Sequence, residues 1–256
     1  MQSSMFQRQD GGRRAAGDIT TEQPLVSVII VVRNGKNDIE KALASVSAQS
    51  KSVCELIVID GASTDGTLDI IKKHNSEIDY WMSEPDNGIY DAMNKGVQVA
   101  RGRYLYFLGS DDSLVVSLES LVPVLVDPNT IYYGNVRTPS SECYDGPWSV
   151  WKLARCTINH QAMFYPTVAF RTNRFSTDYK VLADHAFNLR CFGDKQLSFQ
   201  YIPYLIAYYS DTGMSTRVVD TNFLRDRLGL IRKYLPWYVY LVSCLKDPVR
   251  RLVKGH

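Results

Sequence analysis

Nothing in this chain approaches the roughly 20 consecutive apolar residues that a membrane-spanning helix requires. The closest candidate is the run Leu235-Pro236-Trp237-Tyr238-Val239-Tyr240-Leu241-Val242-Ser243-Cys244-Leu245. It is too short to cross a bilayer, but its composition suits an interface. Residues 1–23 carry no apolar stretch of the kind a secretory signal needs, only Gln, Ser, Arg and Gly among polar neighbours, and they read as a disordered leader. No CxxC pair and no metal-type spacing occurs among Cys54, Cys143, Cys156, Cys191 and Cys244. An odd set of scattered cysteines points to reduced, mostly buried thiols in a cytosolic protein. No G-x-G-x-x-G is present, which argues against a Rossmann dehydrogenase, and no GxxxxGK[ST], which argues against a P-loop enzyme. A charge excess is missing as well: the formal net charge is only +2. It is unevenly spread, because 225–256 holds eight Lys/Arg against two acids, leaving the remainder at −4. A basic end beside an acidic body suggests contact with something anionic, either a membrane surface or nucleic acid.

What the chain does have is a regular alternation of apolar runs and amphipathic stretches. At 256 residues it is long enough for one large α/β domain or two small ones, and 45% hydrophobic content is ample for a core. Continuous apolar runs predict strands near 26–32, 54–60, 79–83 and 103–108. Helices are predicted near 37–49, 66–74, 89–100 and 117–126, the first with Ile39, Leu43 and Val46 on one face. Unbroken apolar strands alternating with helices predict a mostly parallel sheet flanked by helices on both faces. Beyond it come a strand at 131–136, a loop over 138–149, a helix near 183–192, a strand near 197–209 and helices near 220–234 and 236–245.

Polar clusters follow the strands. Ser110-Asp111-Asp112 exits the aromatic-rich run 103–109. Ligands of open α/β sheets bind at that edge. Adjacent carboxylates repel there unless a cation neutralises them. A hard divalent ion carrying a diphosphate fits, because Mg2+ favours one or two carboxylates plus phosphate oxygens; the alternative is a solvated turn. Arg33-Asn34 follows the first strand and either caps the next helix or faces a nucleotide. Asp60 ends the second strand, as a turn cap or as an acceptor for a nucleobase edge or a ribose diol. Asp91, Asn94 and Lys95 share one helical face, either solvated or available to a ligand.

The segments VSVIIVVRN, ELIVIDGASTDGT, EPDNGIYDAMNKGV, ARGRYLYFLGSDD, NHQAMFY and YKVLADHAFNLR occur in the order found in glycosyltransferase family 2. The chain resembles that family over roughly 25–215, and within it the bacterial polysaccharide and colanic-acid-type branch. The resemblance implies a GT-A fold over 24–215, a nucleotide-diphosphate-sugar donor, Mg2+ or Mn2+, and inversion at the anomeric carbon. Carried over by position, Arg33, Asn34, Asp60, Asp91, Asn94, Ser110 and Asp111 bind the donor. The family's usual Asp-x-Asp becomes Gly109-Ser110-Asp111, so the first carboxylate is absent; Asp111 and Asp112 are the expected metal ligands.

Asp184, within Leu182-Ala183-Asp184-His185, matches the family's general base, although Asp is also a favoured helix N-cap. His160 and Gln161 are expected to line the acceptor side, with Met214, Ser215 and Thr216 in a loop closing near the diphosphate. The acceptor implied is a saccharide, lipid-linked in this branch. A C-terminal helical segment over 216–256 would then touch an anionic membrane from the cytoplasmic side, and nucleic acid is not an expected partner. Two other readings stand beside this one. One is a nucleotidyltransferase making the sugar nucleotide, disfavoured by the sparse Arg33-Asn34-Gly35-Lys36 loop. The other is a degenerate sugar-nucleotide-binding protein, suggested by Gly109.

Overall fold

The computed structural model describes residues 7–18, 22–144, 146–210 and 218–246. A short strand, β1 (Gln9–Gly11), precedes the regular half: β2 (Val26–Val32), α1 (Ile39–Ser47), β3 (Cys54–Asp60), α2 (Thr67–Lys73), β4 (Tyr80–Ser83), α3 (Ile89–Val99) and β5 (Tyr104–Gly109). Then come β6 (Ser113–Leu114), β7 (Thr130–Thr138), β8 (Ser141–Tyr144), α4 (Val150–Arg155), β9 (Met163–Pro166), α5 (Ala183–Gly193), β10 (Ser198–Tyr208), α6 (Thr221–Tyr234) and α7 (Trp237–Lys246). One sheet runs in the order β1-β4-β3-β2-β5-β9-β7-β10-β6, with β8 paired to β7.

β2 and β3 are buried at every position because both faces of the sheet are covered. Alternate residues of β2 separate cleanly. Val26, Val28, Ile30 and Val32 pack with Ile39, Leu43, Val46 and Ile71 from α1 and α2. Ile29 and Val31 pack with Tyr90, Ala92 and Met93 from α3 and with Phe187 from α5. The period of two along the strand therefore assigns helices to opposite faces.

β4, β3, β2 and β5 are parallel. β2 has β3 on one side, reached through α1, and β5 on the other, reached after α3. The order of strands reverses there, and the carboxyl ends of β2 and β5 part around a crevice. The second half makes the sheet mixed. β9 inserts antiparallel between β5 and β7, while β10 runs parallel to β7.

Several expectations need correction. Residues 7–18 are not a disordered leader. β1 pairs antiparallel with the edge strand β4, and Arg14 makes a buried ion pair with Glu55. Glu55 is only 6% exposed and also accepts from the Ser27 hydroxyl and the Arg101 amide. A buried glutamate near the start of β3 requires a cation, and Arg14 supplies it. The helix expected at 117–126 is a single 3-10 turn, Leu118–Leu121. Pro123 follows closely and has no amide hydrogen with which to continue the helix. The loop expected at 138–149 contains β8. The four-residue β9 and the six-residue α4 were too short to show as periodic patterns.

α6 packs on α5, and α7 packs on α6 and α4 through Leu153, Leu189, Ile231, Leu235 and Val239. The closing loop at Met214, Ser215 and Thr216 lies outside the described residues, as do Arg250, Arg251 and Lys254.

Candidate active site at the carboxyl edge of the sheet

The crevice between β2 and β5 holds a cavity of about 330 Å3. Val32, Arg33, Asn34 and Gly35 form one wall, Gly109, Ser110 and Asp111 another, and Asp38, Asp86 and Ile89 complete it. A second cavity of about 280 Å3 adjoins it, lined by Tyr90, Asp112, Thr157, His160, Gln161, Asp184 and Ser210 among others. Ile89, Gly109 and Asp111 line both. Asp111 therefore stands at the boundary of two compartments. A larger cavity, about 810 Å3, sits at the amino edge around Glu55 and Arg101. It lies on the far side from the strand exits, where such sheets do not bind ligands.

The loops of the first cavity are tied to one another. Asn34 adopts a left-handed backbone with φ of 56°. Its amide donates to the Ser63 hydroxyl at 2.7 Å, and its side-chain oxygen accepts from the Thr64 amide at 2.9 Å. The Gly35 amide donates to Thr67 Oγ1 and the Lys36 amide to Asp65. The Gly-Ala-Ser-Thr-Asp-Gly-Thr run is thus a clamp on the loop after β2. Arg33 lies at the lip, its side chain 63% exposed and 4.0 Å from Asp86. Gly61 permits this meeting, since a Cβ there would collide with the Asp86 carboxylate.

Three donor-binding expectations are placed elsewhere. Asp60 sits at the sheet edge, but it is wholly buried and accepts from the Ser83 hydroxyl at 2.6 Å and the Ser63 amide at 3.1 Å. The in-register pairing of Asp60 with Ser83 explains the contact. Asp91 accepts from the Asn87 amide at 3.0 Å and lies 3.6 Å from Lys95, so it steadies the start of α3. Asn94 clasps Phe175, donating to its carbonyl at 2.8 Å and accepting from its amide at 3.0 Å. None of the three lines either cavity. A shared helical face does not say what the face meets, and here it meets protein.

Asp111 and Asp112 differ sharply. Asp111 is partly exposed between the cavities, and its carboxyl is pushed above its usual range by burial, with Asp38 adding to the effect. Asp112 is 1% exposed and both its oxygens are engaged, with the Ser210 amide at 2.8 Å and Gln161 Nε2 at 2.7 Å. Burial pushes its carboxyl up to about 6. Asp112 is therefore a brace, and the expectation that it ligates a metal is withdrawn. Its carboxylate fills the space that a side chain at Gly109 would take. The missing first carboxylate and the folded-back Asp112 are one arrangement.

Asp184 sits in the first turn of α5 and is 3% exposed. Leu182, not Asp184, occupies the N-cap position. Oδ1 accepts from the His185 amide at 2.8 Å and from the Tyr90 hydroxyl at 3.1 Å. Oδ2 faces Thr157 at 3.4 Å and His160 Nδ1 at 3.5 Å. The Thr157 proton has a nearer acceptor in the Ile158 carbonyl at 3.0 Å, which leaves Oδ2 weakly held. His185 donates from Nε2 to the Leu153 carbonyl, and burial lowers its pKa, so it is a neutral structural residue. Asp220 holds the entry to α5 by accepting from the Val181 and Leu182 amides. Tyr90, Asp38 and Thr157 were not anticipated from the sequence. Tyr90 reads there as one more core aromatic, and no pattern shows where its hydroxyl points.

An open α/β sheet with paired cavities over its switch point and a carboxylate between them is the architecture of a GT-A glycosyltransferase. The chain belongs to glycosyl transferase family 2, whose model matches residues 27–186. It is 35% identical over 224 residues to a PGL/p-HBAD biosynthesis glycosyltransferase of Mycobacterium bovis, covering 81% of this chain and 87% of the relative. In structure it is similar to S. aureus TarS 1–349 in complex with UDP-GlcNAc, with TM-score 0.67 and 17% identity over 90% of this chain and 73% of the other. It is also similar to the Pyrobaculum calidifontis mannosyltransferase PcManGT in complex with GDP-Man and Mn2+, with TM-score 0.58 and 17% identity over 89% of this chain and 66% of the other. This protein is thus a glycosyltransferase.

Proposed function

We propose that this chain transfers a sugar, with inversion, from a nucleoside-diphosphate sugar to a hydroxyl of a saccharide acceptor in surface-glycan biosynthesis. The observation that carries the reading is Asp111 at the boundary of two cavities, with Asp184 lining only the second. The nucleotide occupies the cavity under Arg33 and Asn34, and the acceptor enters beside Asp184.

The residues present fit a hard divalent cation. The donor cavity carries Asp38, Asp86 and Asp111 against Arg33, and burial with the neighbouring Asp38 disfavours ionised Asp111 in the absence of a cation. Among the described residues no cluster of three or more metal-type side chains occurs. Asp111 would therefore hold Mg2+ or Mn2+ together with diphosphate oxygens, as Mg2+ commonly binds. Such an ion supplies Lewis-acid neutralisation of the charge that builds on the departing diphosphate. The acceptor oxygen bonds to the anomeric carbon as the carbon–phosphate-oxygen bond breaks, and its proton passes to Asp184 Oδ2. A positioned base contributes on the order of 10²–10⁴-fold.

Calorimetry with UDP, GDP, CDP and dTDP, each with Mn2+ and with EDTA, tests the reading. One nucleotide is expected to bind tightly in a metal-dependent way. Absence of binding to all four by folded protein would refute it.

The proposal extends to peripheral contact with an anionic membrane. Trp237, Leu241 and Leu245 recur at intervals of four along α7 and are 73%, 50% and 76% exposed. Trp151 of α4 joins them through Tyr238, ring centroids 5.8 Å apart. Arg155 and Lys246 line one cavity with Trp151, Arg232 lies over the Tyr240 ring, and no acid occurs in 227–246. An aromatic face rimmed by cations suits an anionic interface, each basic residue adding about 1 kcal/mol there. In co-sedimentation, the protein is expected to partition onto phosphatidylglycerol-containing vesicles and the Trp237→Ala/Leu245→Ser variant about tenfold less. Equal partition of the two proteins, or no preference over phosphatidylcholine alone, would remove this element.

A further inference from the structure

The α3 motif GIYDAMNKG presents its polar residues to protein, not to a ligand, which leaves its buried tyrosine to explain. Tyr90 is 4% exposed, and its ring packs on Phe175 with centroids 5.5 Å apart. Asn94, one turn further along α3, clasps the backbone of the same Phe175. The motif therefore grips the segment that leads into α5, and from inside that grip the Tyr90 hydroxyl reaches Asp184 Oδ1.

We propose that Tyr90 is a positioning residue that selects which oxygen of Asp184 takes the acceptor proton. The inference rests on Asp184 being the base. A carboxylate has two equivalent oxygens and a nearly free terminal rotation. Here Oδ1 is anchored from two directions, by the Tyr90 hydroxyl and the His185 amide, while Oδ2 has only long contacts to Thr157 and His160. Oδ2 is thus the more weakly held oxygen of a carboxylate that lines the second cavity. The groups facing Asp184 are Tyr90 from α3, His160 and Thr157 from the segment after α4, the His185 amide from α5 and the Tyr165 hydroxyl from β9. Tyr90 is the one among them that α3 can deliver, and its own ionisation is suppressed, first by burial and then by Asp184, so it acts only as a donor.

The test uses Tyr90→Phe, which keeps the ring and its contact with Phe175 and removes only the hydroxyl. The reaction is acceptor-independent hydrolysis of UDP-N-acetylglucosamine or GDP-mannose with Mn2+, whichever nucleotide binds, read as release of UDP or GDP. Water replaces the acceptor hydroxyl: its oxygen bonds to the anomeric carbon, the diphosphate leaves with the bonding electrons, and one proton goes to Asp184. Loss of a hydrogen bond to the charged form raises the pKa of the base. The acid limb of the kcat/KM profile is therefore expected to move up by about one pH unit, a bond to a charged group being worth on the order of one such unit. kcat should fall about tenfold at fixed neutral pH, with the calorimetric Kd for the nucleotide unchanged.

A Tyr90→Phe enzyme with the wild-type acid limb and kcat overturns the inference. So does a loss of kcat that comes with equal loss of nucleotide binding, since that is a general collapse of the site. Asp184→Asn run in parallel separates the two levels. If it hydrolyses donor at the wild-type rate, the assignment of the base is wrong and this inference falls with it. If it is inactive and the Tyr90→Phe limb has not moved, only the role of Tyr90 is lost.

Discussion

Asp184→Asn is expected to lower the rate of transfer about a thousandfold while leaving nucleotide affinity within about twofold of wild type, in keeping with the contribution of a single positioned base. The substitution is nearly isosteric. The amide oxygen can still accept from the His185 amide and the Tyr90 hydroxyl, so α5 should keep its first turn and the cavity its shape. What disappears is a group able to take a proton at the position of Oδ2. The nucleotide cavity does not include Asp184 among its walls, which is why binding should survive. kcat and kcat/KM should fall together, the signature of an interaction made only in the transition state. Parallel measurement of steady-state rate and of calorimetric nucleotide binding checks this. Near-normal turnover would move the base elsewhere, and His160 would be the next group to examine because it is the other titratable side chain at Oδ2.

The first half of the fold was legible because its strands are long and buried on both sides. VSVIIVV, CELIVID and YLYFLG have no polar face that could leave their class in doubt, and their exits placed Arg33, Asn34, Ser110 and Asp111 along one edge. The second half was harder for a physical reason. β9 has four residues, α4 has six, and β6 has two, so none spans enough periods to display a pattern. Their positions come from long-range pairing: β9 exists as a strand because β5 and β7 both offer it open edges.

The site was legible at the level of residue type and illegible at the level of direction. Asp60, Asp91 and Asn94 are polar residues at positions the family resemblance singles out, yet each is consumed by a backbone or hydroxyl partner inside the protein. Asp111 and Asp112 are adjacent and chemically identical. Only the return of Asp112 onto Gly109, Gln161 and Ser210 distinguishes the brace from the ligand. No count of carboxylates in the sequence reveals that turn. The same holds for Tyr90, whose ring belongs to the core and whose hydroxyl belongs to the site.

Asp111→Ala carries the second large effect, and its sign depends on the metal. With Mn2+ present, nucleotide affinity is expected to fall on the order of 100-fold, at or beyond the upper end of what losing even an outer-shell partner costs a metal site. In EDTA the expectation reverses. Asp38, Asp86 and Asp111 line the donor cavity against the single Arg33 side chain, so without a cation a diphosphate meets net negative charge. Removing Asp111 takes away one repelling carboxylate, and the variant should then bind nucleotide at least as well as wild type. A purely structural role for Asp111 predicts the same loss in both conditions. A role as a direct hydrogen-bond acceptor for the sugar predicts a loss with the nucleotide sugar that is absent with the nucleoside diphosphate. Calorimetric titration of wild type and variant, with Mn2+ and with EDTA, separates these cases. Unchanged affinity in Mn2+ would take Asp111 out of the ligand set. Because Asp112 is already turned inward, Asp38 and Asp86 would then be the carboxylates of the donor cavity left to meet a cation.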